Sequence, residues 1–79
     1  MTLAQDGGFD PEVELHFRLA LEKTPSDSGL RYAFASYYRR AGMTARALLH
    51  LRLVLSTDPE HAAAWRELGE MEAAQARRR

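Results

Sequence analysis

The chain is 79 residues long and weighs 8.9 kDa, which bounds it to one small domain burying roughly 60% of its unfolded surface and excludes a multi-layer α/β enzyme. Eleven basic residues balance eleven acidic ones, which argues against a general nucleic-acid or anionic-membrane binder, since those carry a large basic excess. There is no cysteine, so no disulfide framework and no thiolate metal site is expected; apolar runs are too short to span a bilayer, and the first eight residues lack the basic start and apolar core of a signal peptide.

In chain order, residues 1–8 read as a short flexible tail and residues 9–79 as one helical domain. Ala, Leu, Arg and Glu dominate, while β-branched residues are scarce, with two Val and no Ile, so the texture is helical. The first helix is predicted from Asp10, an N-cap residue type, with Pro11 at its first position, and ends before Pro25. Val13, Phe17, Ala20 and Leu21 share its apolar face. The second follows the Ser26–Asp27–Ser28 cap region and runs to about Ala41, with Gly42 as its stop. The third runs from a Thr44 cap to about Thr57, and the fourth from near Pro59–Glu60 to the end. Connections of three to five residues make neighbouring helices antiparallel hairpins.

A period of 34 residues underlies this pattern. Leu15, His16, Arg18, Leu19, Leu21 and Pro25 fall on identical residues at Leu49, His50, Arg52, Leu53, Leu55 and Pro59, and Gly8 falls on Gly42. Phe17 falls on Leu51 and Ala20 on Val54. After the prolines, Leu30 falls on Ala64, Phe34 on Leu68 and Ala35 on Gly69. A fixed period of this length points to stacked two-helix repeats. Trp65-Arg66-Glu67-Leu68-Gly69, Phe34 to Tyr38, Ala47 to Leu51 and the two prolines resemble the tetratricopeptide repeat family, over about residues 9–76. Ten Arg against one Lys fits a small bacterial member. Two departures stand out: Arg31 occupies the place of Trp65 one repeat earlier, and Glu72 that of Tyr38 one repeat later. The resemblance implies an all-α fold, a short solenoid of about four helices with one full repeat flanked by two half repeats. The small residues Ala20, Ala35, Ala47 and Gly69 would let its helices approach closely.

The histidines His16, His50 and His61 match no catalytic or metal motif. His16 and His50, one repeat apart on the outward side of equivalent helices, read as a repeat position filled twice rather than a zinc pair. Glu12/Glu14 and Glu70/Glu72, two apart on helices, read as solvated charge. No enzyme and no cofactor is expected.

What the family implies is protein binding, and two surfaces qualify. Carried over by position, the concave groove of the solenoid would be lined by Tyr32, Ser36, Arg39 and Arg40, with Arg66, Glu70 and Ala73 from the last helix. Residues 26–57 carry a net +4, against −3 for residues 1–25 and −1 for residues 58–79, so an acidic or C-terminal peptide suits this groove. Tyr32, Ser36, Ala63 and Glu67 stand where the family's carboxylate clamp needs Lys, Asn and Arg, which argues against that activity. The second surface is a stripe of four leucines, Leu15, Leu19, Leu49 and Leu53, at outward positions that the family keeps polar. Such a patch marks an interface unless Leu3 and Phe9 fold over it. The expectation is a cytoplasmic protein–protein interaction module that forms a homodimer through this stripe, with no nucleic-acid or membrane partner. The alternatives are a structural subunit of a larger assembly, or a small helix-turn-helix nucleic-acid binder using Arg39, Arg40, Arg46 and Arg52.

Overall fold

The structure, a computed structural model, describes residues 8–78. Asp10 opens the first helix: its carboxylate accepts a hydrogen bond from the Glu12 N–H at 2.9 Å, satisfying an otherwise orphaned donor. Pro11, needing no partner for a missing N–H, stands at the first position of α1, Pro11–Lys23. Asp27 caps α2, Ser28–Arg40, in the same way, accepting from Leu30 N–H at 3.0 Å. The end of α2 is closed by Gly42, whose φ of +79° lies in the left-handed region. That conformation lets the Met43 N–H reach the Tyr38 carbonyl at 2.9 Å and the Gly42 N–H reach Arg39 at 3.0 Å, the pair of bonds that absorbs orphan carbonyls at a glycine-terminated helix end.

Two expected starts shift. Thr44 is the first residue of α3, Thr44–Thr57, rather than its cap; Met43 is the cap and offers no side-chain hydrogen bond. The fourth helix, α4, runs Ala62–Arg77, two residues later than Pro59–Glu60. Its cap is His61, whose ring Nδ1 accepts from the Ala64 N–H at 3.1 Å, a role played more often by Ser, Thr, Asp or Asn.

Connections of three or four residues stack the helices as antiparallel neighbours in chain order, in a slab of 40 × 36 × 15 Å. The core runs along the α2–α3 seam, where Phe34, Ala35, Tyr37 and Tyr38 meet Ala47, Leu48, Leu51, Val54 and Leu55; Leu21 joins from α1, and Ala64, Leu68 and Met71 from α4. Ala35, Ala47 and Ala64 are almost wholly buried, as close helix approach requires. Gly69, expected to serve the same purpose, faces open space instead, and Ala20 is only partly covered. Aromatic rings join α1 to this core: Phe17 stacks on Phe34 with centroids 4.8 Å apart and lies 5.8 Å from Tyr37. Phe9 packs on Tyr37 at 6.1 Å, and the Tyr37 hydroxyl donates to the Asp10 carbonyl at 2.9 Å. Phe9 therefore belongs to the core edge and not to a covering over the leucine stripe. Leu3 and the rest of the expected tail up to residue 7 lie outside the described residues.

Candidate functional site

The groove positions sit on α2 and α4, and Glu67 ties Tyr32 and Arg39 of α2 to α4. The Tyr32 hydroxyl donates to the Glu67 carboxylate, and its ring lies 4.8 Å from that of His61. That bond to a carboxylate, with burial, pushes the Tyr32 phenol above its ordinary value, while Ser36 and Arg66 pull the other way. The Arg39 guanidinium reaches Glu67 at 3.2 Å and Glu70 at 3.4 Å. Ser36, Arg39, Arg40 and Glu67 line one small depression. Glu70, 53% exposed, pairs with Arg39 at the surface, and the Arg39 charge is met within the chain. Arg40 and Arg66 are exposed, and among the described residues neither makes an ion pair.

Glu14 is a correction. The Tyr38 hydroxyl donates to its carboxylate, and Arg18 at 3.4 Å and Arg46 at 3.3 Å flank it. Its side chain is 14% exposed, so it links α1, α2 and α3 rather than pointing freely into solvent. The Tyr38 hydrogen bond is the main reason its carboxyl is held below the ordinary carboxylate value, with both arginines adding to it. Glu72 likewise pairs with Arg52 at 2.8 Å. Counting residues along one helix assigns a face, but it does not see the tyrosine or arginine arriving from the next helix.

His50 is also not on the outward side. It is half-buried, with ring centroids 4.7 Å from Phe34 and 5.4 Å from Tyr38, and its Nδ1 lies 3.3 Å from an Arg31 nitrogen. Burial, then Arg31 and Arg18, push its imidazole below the ordinary value of 6.5. His16 remains exposed. The pair therefore occupies two different environments, and among the described residues no group of three His, Cys, Asp or Glu is placed to hold a metal.

The leucine stripe keeps its expected exposure. Leu15 and Leu19 on α1 are 51% and 45% exposed, and Leu49 and Leu53 on α3 are 52% and 37%. Each pair is four residues apart and shares a helix face. Glu14 of α1 and Arg46 of α3 pair at 3.3 Å, while the helices packed on each other are α1 with α2, α2 with α3 and α3 with α4. No described helix is long and apolar enough to cross a membrane.

A family profile for the tetratricopeptide repeat matches residues 28–71, more than half of the chain. No curated protein and no solved structure matches it.

Proposed function

The chain belongs to the tetratricopeptide repeat family, and from that premise we propose that it is a protein–protein interaction module whose contact surface is the leucine stripe Leu15, Leu19, Leu49 and Leu53. The observation that carries this reading is the exposure of four leucines, between 37% and 52%, two on α1 and two on α3. The side chains are already about half covered, so burying the rest contributes on the order of 3–6 kcal/mol per chain before the costs of association. The stripe pairs with a second copy, making a homodimer. Light scattering on a sizing column tests it: at equal concentration the mass is expected to be lower in Leu49→Glu/Leu53→Glu than in the wild type. An unchanged mass, with the helical signal intact, would sink the reading.

A second surface is supported by charge. Arg39 is already met by Glu67 and Glu70, whereas Arg40, which shares a depression with Ser36 and Glu67, and Arg66, close enough to Tyr32 to act on its phenol, stand exposed. An acidic peptide laid along this groove would find two arginines to pair with, at modest affinity because the groove is short. Anisotropy of a fluorescent poly-glutamate peptide reports on it. Binding is expected to fall at least tenfold in Arg40→Glu/Arg66→Glu, and a variant that binds as the wild type does would rule the groove out. Within this module no residue is assigned a catalytic role.

A further inference from the structure

The two ends of the four-helix row carry complementary surfaces, and the 34-residue period says how they fit. On α3, His50 faces α2, with Phe34 and Tyr38 against its ring, and Ala47, Leu51 and Val54 share its helix stripe. Ala47, Leu51 and Val54 are wholly buried, and His50 is half-buried. One period earlier on α1 stand Val13, His16, Phe17 and Ala20. Together with Leu30, these four residues line an open apolar hollow of about 290 Å³, and Val13 there is 36% exposed. Phe17 and Leu30 pack on the core from one side of the hollow, while Val13 and His16 stay exposed.

The matching face is on α4. Arg31 of α2 contacts His50 at 3.3 Å and donates to the Pro25 carbonyl at 3.3 Å. Its counterpart Trp65 donates to the Pro59 carbonyl at 2.8 Å, the same anchor one period on, which fixes the indole. Yet Trp65 is 55% exposed. Four residues on, Ala35 of α2 is 1% exposed against α3, whereas Gly69 of α4 has open space where a Cβ would stand.

We infer that α4 of one copy seats on α1 of a second copy, with Trp65 and Gly69 entering the hollow formed by Val13, His16, Phe17 and Ala20, so that the junction repeats the α2–α3 packing between chains. This surface is separate from the leucine stripe. Charge favours a second copy as the occupant: α1 begins with Asp10 and Glu12 and α4 ends with Arg77 and Arg78, and the antiparallel packing brings the two ends together. The contact is head-to-tail, using different patches on the two copies.

The test exploits the single tryptophan. All variants carry Leu49→Glu/Leu53→Glu, which silences the leucine stripe and separates this junction from it. On that background alone, the mass by light scattering is expected to rise with concentration. Val13→Glu, which blocks the hollow, and Trp65→Glu, which blocks the insert, are each expected to remain at 8.9 kDa. Mixed, they retain one intact junction and are expected to form a 1:1 complex of twice that mass. Because Trp65→Glu has no indole, the emission of the Val13→Glu chain alone reports the contact and shifts to shorter wavelength. Two separate monomers and an unmoved emission in the mixture would overturn the proposal, as would a stripe-silenced chain that stays monomeric at every concentration. Should circular dichroism show either variant unfolded, His16→Glu and Gly69→Arg, both at exposed positions, replace them with the same expected masses; both chains then keep Trp65, so the mass of the mixture alone decides.

Discussion

The Tyr38–Glu14 contact predicts a specific pattern of stability. Tyr38 is 2% exposed and gives its hydroxyl proton to a carboxylate that is itself mostly covered. A hydrogen bond to a charged group contributes about 1.5–3 kcal/mol, large beside the total of about 4–12 kcal/mol expected for 79 residues. Tyr38→Phe removes the donor while keeping the ring that packs on Phe34 at 4.4 Å, so the loss should be about 2 kcal/mol. In urea, with a slope near 1 kcal/mol per M for so small a chain, the midpoint should fall by about 2 M. Glu14→Gln keeps an acceptor but not the charge, and a double-mutant cycle should return a coupling of about 1 kcal/mol between the two sites. The sign of the pH dependence follows from the depressed Glu14 carboxyl. Its contribution is full above the ordinary value of 4.5 and is lost as pH falls below it, toward the folded-state value. The gap between wild type and Glu14→Gln should therefore narrow when the titrations are repeated at low pH. A gap that is as wide in acid as at neutrality, or a coupling of zero, would refute the assignment of Glu14 as the charged partner of Tyr38.

Other outcomes follow from the same packing. Leu51→Ala, at a wholly buried site on the α2–α3 seam, should cost about 2–5 kcal/mol in a thermal or urea melt. Gly42→Ala forces a side chain into a left-handed φ of +79° and should cost about 1 kcal/mol, although there is open space for the methyl; the comparison with Gly69→Ala, which should stabilise α4 by up to about 1 kcal/mol, isolates the backbone effect. Burial holds the His50 imidazole down, so its stabilising share is full above 6.5 and falls away as pH drops below that value. His50→Gln should flatten the slope of stability against pH there, as urea midpoints at successive pH values would show.

Sequence alone determined the number of helices, their antiparallel order and the family, because these rest on local signals: capping residue types, the apolar period, glycine stops and a 34-residue repeat. It also placed the leucine stripe, since an apolar residue at an outward position needs only helical geometry to be recognised. The contacts between helices were decided by the tertiary structure. Glu14 and Glu70 read as solvated when each is counted along its own helix, yet tyrosine and arginine from neighbouring helices meet them. His50 matches His16 letter for letter, yet one is half-buried and the other exposed, because Phe34 and Tyr38 of α2 pack against the His50 ring. Identical residues one period apart diverge for this reason: a solenoid gives each helix its environment through its neighbours, and only the packed chain fixes which neighbours are there.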